Sequence, residues 1–76
     1  MIFDEVKEIL ADQLDINIDD IEMTSSLTDD LGADSLDAID IVMSVEDQYS
    51  IEVPDETIKT MKTVEDIVSF IETNID

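Results

Sequence analysis

The sequence has 76 residues, which is enough for one domain (1–76) but not for two. It contains no cysteine and no histidine, which excludes disulfides, thiolate metal sites and general-base catalysis by histidine. With 22 acidic and 3 basic residues the net charge is −19, so nucleic acid is disfavoured as a ligand and a protein partner should carry a basic patch.

The first predicted element is a helix from Phe3 to Leu14, because its apolar residues recur every three or four positions. This N-terminal segment is acidic and amphipathic, unlike a signal peptide. No stretch of the sequence approaches the roughly 18 apolar residues of a membrane helix. We therefore expect a cytoplasmic protein that does not insert into membranes.

A long irregular loop is predicted next, from Asp15 to Asp34, and Gly32 near its end can adopt backbone conformations that other residues resist. Long loops in compact domains are often functional. A calcium-binding loop is not supported, because its sixth position is Asp20 instead of glycine and its twelfth is Ser26 instead of glutamate. No metal site is predicted, although weak binding of divalent ions stays open. Five apolar residues are expected to pin the loop to the core: Ile16, Ile18, Ile21, Leu27 and Leu31.

The second predicted helix, from Ser35 to Tyr49, has two apolar faces. At about 100° per residue, one stripe faces the core and the other lies on the roughly opposite side. An exposed apolar patch with an acidic rim is typical of a docking surface, although single exposed apolar residues are common. The core stripe comprises Ala38, Ile41, Val42, Val45 and Tyr49; the second stripe comprises Leu36, Ile39 and Met43, with Asp40, Glu46 and Asp47 around it.

Ser35, at the start of this helix, could be a nucleophile, a helix cap or an attachment point. Nucleophilic catalysis is disfavoured because no histidine or nearby lysine is available as a base. Asp34 is the better cap, since Asp37 can complete a capping box with it, whereas Ala38 could not do so for Ser35. We then expect a free, exposed Ser35 hydroxyl. The helix N-terminus would stabilise an attached phosphate, and the neighbouring aspartates favour a singly charged diester. A serine without any role remains the alternative.

A short third helix is predicted from Asp55 to Met61, with Asp55 as its cap. Thr63 then opens the last helix in a capping box with Asp66. These elements predict an all-α fold: a small four-helix bundle of three longer helices and one short third helix, with a long loop after helix one. We expect a monomer. The apolar stripe of the last helix comprises Val64, Ile67, Val68, Ile71 and Ile75.

The segment LGADSLDAIDIVM (31–43), followed by IEVPDE (51–56), resembles the bacterial acyl carrier proteins of type II fatty acid synthesis. The resemblance covers the whole chain, including its acidity and its long first loop. It implies a carrier, not an enzyme, with no catalytic residues. Ser35 would bear 4′-phosphopantetheine, added from coenzyme A by a holo-carrier-protein synthase, and Asp34 would lie near the synthase metal ion. The thiol of that arm would hold fatty acyl chains as thioesters.

The resemblance also implies two sets of contacts. The first set would dock on basic patches of the synthase and of fatty acid synthesis enzymes; it comprises Leu36, Asp37, Ile39, Asp40, Met43, Glu46 and Asp47, with Glu52, Asp55 and Glu56 adding to the rim. The second set would line a space for the acyl chain between the second and third helices; it comprises Ile41, Val45, Val53, Ile58 and Met61, which could equally be core residues.

Three positions depart from the commonest pattern of this family. Asp40 stands where a longer glutamate is usual, Ile58 is bulkier than the usual small residue, and Thr60 replaces a frequent charged residue. They leave open whether this would be the housekeeping carrier or a specialised one. A carrier of another cargo, such as a D-alanyl, polyketide or aminoacyl unit, is a second hypothesis. A third is an acidic adaptor or ion-binding protein that carries no covalent group.

Overall fold

The structure is a computed structural model and describes residues 2–75, except for the side chain of Ser35. The helices are α1 (Ile2–Leu14), α2 (Ser35–Tyr49), α3 (Asp55–Thr60) and α4 (Val64–Asn74), with a 3₁₀ turn at Ile18–Asp20. Within residues 2–75 the only strand-like pairing is an isolated bridge between Ser26 and Thr63. The predicted four-helix bundle with a short third helix is confirmed.

The core forms where α1, α2 and α4 pack together. Val6 and Leu10 of α1 and Ile71 of α4 are fully buried, as their helical spacing predicts. On α2 the residues Ile41 and Val45 are 1% and 2% exposed and belong to the same apolar cluster. α1 contacts both α2 and α4, so it is the central helix of the bundle.

The long loop between α1 and α2 is pinned by apolar side chains, as predicted. Ile21, Leu27 and Leu31 are buried, whereas Ile16 and Ile18 are half-buried. Backbone bonds join the loop to the start of α4, where the Val64 N–H donates to the Ser25 carbonyl at 3.1 Å and the Glu65 N–H to the Met23 carbonyl at 3.0 Å. Gly32 has a φ of +74°, a conformation that favours glycine.

α3 and α4 begin in different ways. The N-cap position of α3 is Pro54, without a side-chain cap, so the prediction that Asp55 caps this helix is wrong. The extended backbone of Pro54 already precedes the first turn, and Asp55 is the first helical residue; the helix also ends one residue before Met61. The predicted capping box of Thr63 and Asp66 is confirmed for α4. Ile75 lies just after the end of α4 and packs on the core.

Candidate functional site

The backbone at the start of α2 is fixed by two aspartates. The Asp34 carboxylate accepts a hydrogen bond from the Asp37 N–H at 2.9 Å, and the Asp37 carboxylate accepts one from the Asp34 N–H at 3.2 Å. This reciprocal capping box confirms Asp34 as the cap and makes Ser35 the first residue of α2. The expected exposure of the Ser35 hydroxyl concerns a side chain outside the described part of the chain.

The loop before the cap is held against the rest of the protein. The Leu27 N–H donates to the Lys62 carbonyl at 2.9 Å, and the Ala33 N–H donates to the Leu27 carbonyl at 2.8 Å. Ala33 is buried, while Asp34 next to it is exposed. The start of α2 therefore lies at the surface, and these hydrogen bonds hold the loop segment before it in place.

The division of α2 into two apolar faces is confirmed. Leu36, Ile39 and Met43 are 72%, 44% and 57% exposed, and they are the large apolar side chains exposed among residues 2–75. Carboxylates surround them, with Asp40 and Asp47 exposed on the same helix. A surface with an apolar centre and an anionic rim is complementary to a partner surface with an apolar centre and a cationic rim. A docking role stays a prediction.

The candidate residues differ in how far they are accessible. The exposed ones are Asp34, Leu36, Ile39, Asp40, Met43, Asp47, Glu52, Asp55 and Glu56; the half-buried ones are Asp37, Glu46, Ile58 and Met61; and the buried ones are Ile41, Val45 and Val53. Glu46 departs from the expected rim position, because its carboxylate accepts a hydrogen bond from the Val53 N–H at 2.8 Å. Part of its charge is therefore directed into the protein.

A cavity of about 520 Å³ opens between α2, α3 and the long loop. Ile58 and Met61, which were expected to line an acyl site, lie on its wall. Ile41, Val45 and Val53 do not line it, which corrects the expected lining: Ile41 and Val45 belong to the core shared with α1 and α4, and Val53 is buried. The other lining residues are Leu27, Thr28, Ala33, Asp34, Ala38, Ile39, Asp55 and Lys59.

Some of the residues that line the cavity could be predicted from the sequence. Ala38 and Ile39 follow Ser35 by about one helical turn, so helical spacing alone places them near the start of α2. Leu27 and Thr28 come from the long loop, whose path no short motif encodes. The cavity wall therefore combines a local pattern with contacts that arise only in the folded chain.

Neither a metal site nor a membrane-spanning helix is found in the part of the chain that the structure describes. No group of three or more acidic, histidine or cysteine side chains among residues 2–75 is arranged to hold a metal ion. In the same part of the chain, the helices are too short and too polar to cross a membrane.

Comparison with known proteins gives a consistent result. The sequence pattern of the family described as "Phosphopantetheine attachment site" matches residues 4–71. The acyl carrier protein of Wolinella succinogenes is 45% identical over 73 residues, covering 96% of each chain. That of Clostridium acetobutylicum is 45% identical over 76 residues, covering 100% of this chain and 99% of the relative. That of Clostridium perfringens is 49% identical over 69 residues, covering 91% of each.

The fold has a counterpart among solved structures. A Mycobacterium tuberculosis protein, named as a candidate acyl carrier protein, superposes with a TM-score of 0.91 at 23% sequence identity. The match covers 96% of this chain and 97% of the other. At this identity the likeness concerns the fold.

Proposed function

Since the chain belongs to the acyl carrier protein family, we propose that Ser35 is the residue that bears its 4′-phosphopantetheine arm. The protein carries fatty acyl chains, which are held as thioesters on this arm. The arm supplies the thiol, because the sequence contains no cysteine.

The position of Ser35 carries the proposal. It is the first residue of α2, directly after the reciprocal capping box of Asp34 and Asp37. A helix N-terminus stabilises an attached anion through its unpaired backbone N–H groups and the helix dipole. The negative charges of the Asp34 and Asp37 carboxylates disfavour a doubly charged phosphate on Ser35. A monoanionic diester is therefore favoured over a phosphomonoester. A phosphopantetheine linkage is such a diester.

The cavity next to this position supports the second part of the proposal. Its wall includes Asp34, which precedes Ser35, and Ala38, one turn beyond it. Ile58 and Met61 supply apolar surface on the opposite side, and a volume of about 520 Å³ lies in the range of ligand cavities. We therefore assign the cavity to the acyl chain, with Ile41 and Val45 as core residues that do not line it.

The exposed face of α2 supports the third part. Acyl carrier proteins act together with the fatty acid synthesis enzymes and with a phosphopantetheinyl transferase. In this proposal such enzymes present basic patches to Asp40 and Asp47 and an apolar centre to Leu36, Ile39 and Met43. Asp37, Glu52, Asp55 and Glu56 extend the anionic rim, and Asp34 would face the metal ion of the transferase. We further propose that the chain works as a cytoplasmic monomer with a single domain, residues 1–76, and without catalytic residues.

Intact-mass spectrometry tests the attachment site. The purified chain is incubated with coenzyme A, magnesium and a holo-carrier-protein synthase that loads another acyl carrier protein in parallel. One phosphopantetheine per chain is expected for the wild type and for Ser44→Ala, a matched change further along α2. Ser35→Ala should gain no mass. Absence of a mass gain in the wild type, or loading of Ser35→Ala, would overturn the proposal.

The other hypotheses are not favoured by the comparisons. The three relatives described above are each named an acyl carrier protein. Neither a D-alanyl, polyketide or aminoacyl cargo nor an unmodified adaptor has an observation of its own in the described residues.

A further inference from the structure

α3 forms one wall of the cavity but has little packing of its own. None of residues 55–60 is buried, and the helix has no side-chain cap. Asp55, Ile58 and Lys59 of α3 all line the cavity, as does Met61 just after it. Burial of apolar side chains normally fixes a helix in place, and a helix this short is unstable alone. The position of α3 must therefore depend strongly on contacts at its two ends.

Each end of α3 is tied to a longer helix through a carboxylate. After the helix, the Lys62 N–H donates to the Asp66 carboxylate of α4 at 2.8 Å. Before the helix, the Val53 N–H donates to the Glu46 carboxylate of α2 at 2.8 Å. Hydrogen bonds to a charged acceptor are shorter and stronger than those between neutral groups.

Glu46 accepts several hydrogen bonds from the connection between α2 and α3. Its backbone carbonyl accepts bonds from the Ser50 and Ile51 N–H groups, the latter at 3.2 Å, in addition to the side-chain bond to Val53. Val53 is itself 7% exposed, so its amide lies in a partly dry environment in which an unpaired N–H is costly. A single residue of α2 therefore accepts hydrogen bonds from three of the five residues 50–54.

The hydrogen bond at Val53 also restrains the start of α3. Pro54 follows, with a φ of −61° that its ring restrains, and it has no N–H with which to form an anchor of its own. The Pro54 carbonyl accepts hydrogen bonds from the Thr57 and Ile58 N–H groups at 2.9 and 3.1 Å. Fixing Val53 thus fixes the first turn of α3, including Ile58 on the cavity wall.

We propose that Glu46 is a positioning residue, which holds the α3 wall of the cavity through the Val53 amide and thereby governs how firmly the cavity retains an acyl chain. The part about retention rests on the proposed function; the part about α3 does not. In this role Glu46 acts as a hydrogen-bond acceptor whose charge strengthens the bond, and charge without an acceptor is not sufficient. That distinction makes it testable against a purely electrostatic docking role.

Amide hydrogen exchange of the unmodified protein, read by NMR, tests the anchor. Glu46→Ala should accelerate exchange about tenfold or more at Val53 and at the hydrogen-bonded amides of Thr57 and Ile58 in α3, since it removes a charged acceptor. Glu46→Gln retains an acceptor oxygen without the charge, so its exchange should be clearly slower than that of Glu46→Ala and at most severalfold faster than that of the wild type. Glu8→Ala, the same change at an exposed site of α1, should leave these amides unaffected, and the amides of residues 6–10 should stay protected in all variants.

Two results would overturn the anchor. One is unchanged exchange at Val53 and α3 in Glu46→Ala. The other is equally fast exchange in Glu46→Gln and Glu46→Ala, because charge instead of hydrogen bonding would then be responsible. Neither measurement requires the arm, so the outcome is independent of whether Ser35 is modified.

The retention part is tested on protein loaded with an acyl chain. The rate at which hydroxylamine cleaves the thioester should rise severalfold in Glu46→Ala, rise less in Glu46→Gln and stay at the wild-type value in Glu8→Ala. Equal rates in all four proteins would overturn retention by this wall. A failure of loading in the wild type would count against Ser35 as the attachment site and leave the exchange result standing.

Discussion

Asp66 and Thr63 are hydrogen bonded to each other in both directions at the start of α4. The Asp66 carboxylate accepts from the Thr63 N–H at 3.1 Å, and the Thr63 hydroxyl accepts from the Asp66 N–H at 3.4 Å. The same carboxylate also accepts from the Lys62 N–H. These backbone bonds hold the pKa of Asp66 below its ordinary value. One carboxylate therefore begins α4 and ends the connection from α3.

We predict that Asp66→Ala lowers the free energy of unfolding by about 1–2 kcal/mol at pH 7, because it leaves two backbone N–H groups without their charged acceptor. The pKa of Asp66 is lower in the folded than in the unfolded chain. Its stabilising effect is therefore complete above the unfolded value of 3.8 and disappears as the pH falls through the folded value. Urea unfolding of both proteins at pH 7 and pH 3 measures this difference.

The matched control is Glu65→Ala, at the exposed neighbouring position in the first turn of α4. Its effect should be smaller at pH 7, since its interaction with the helix end is exposed. A destabilisation by Asp66→Ala that is as large at pH 3 as at pH 7 would contradict an origin in the ionised carboxylate.

Ser50 provides a second prediction, because it ends α2 in the left-handed region with φ 55° and ψ 45°. Side chains are disfavoured there, whereas glycine is not. Ser50→Gly should raise the free energy of unfolding by roughly 0.5–1 kcal/mol, after the greater freedom of glycine in the unfolded chain is subtracted. Thermal or urea unfolding measures the change.

The same substitution within a helix should act in the opposite direction. Ser69 is exposed inside α4, so Ser69→Gly should destabilise by a few tenths of a kcal/mol up to about 1. If both serine-to-glycine changes destabilise alike, strain at Ser50 does not contribute to stability.

Local sequence patterns predicted the starts of α2 and α4 well, but they could not predict contacts that depend on how the chain turns between helices. Asp34 with Asp37, and Thr63 with Asp66, lie three residues apart, so each capping box can be derived from spacing alone. The bond between Glu46 and Val53 depends on how the chain turns after α2, and helical periodicity placed Glu46 simply on the rim. The predicted cap of α3 was wrong by one position, because the N-cap is Pro54 and Asp55 directly follows it as the first helical residue.

The cavity shows the same limit. The periodicity of α2 identifies Ile41 and Val45 as facing the interior. It does not show which other element they contact there, and in the structure these two residues belong to the core with α1 and α4. Which residues face α3 is decided by the paths of the long loop and of residues 50–54. Hydrophobicity alone therefore could not separate the cavity wall from the core behind it.

The acidic rim provides the last prediction, for which Asp40 is the better probe. Glu46 is unsuitable, because Glu46→Lys would remove the bond to Val53 as well as reverse a charge. Asp40 is exposed beside Ile39 on the proposed docking face. Asp40→Lys should slow association with a holo-carrier-protein synthase about tenfold or more at low salt and change dissociation little, because a rim charge acts mainly on encounter. Stopped-flow or surface plasmon resonance separates the two rates.

Ionic strength distinguishes this mechanism from local damage to the helix. Raising salt from about 50 to 200 mM should slow the wild type and reduce its advantage over Asp40→Lys, since the screening length shortens. Asp12→Lys, an equal charge reversal at an exposed site of α1, should have a much smaller effect at both salt concentrations. If Asp12→Lys slows association as much as Asp40→Lys, the net charge of −19 governs encounter and the face around Ile39 has no special part in it.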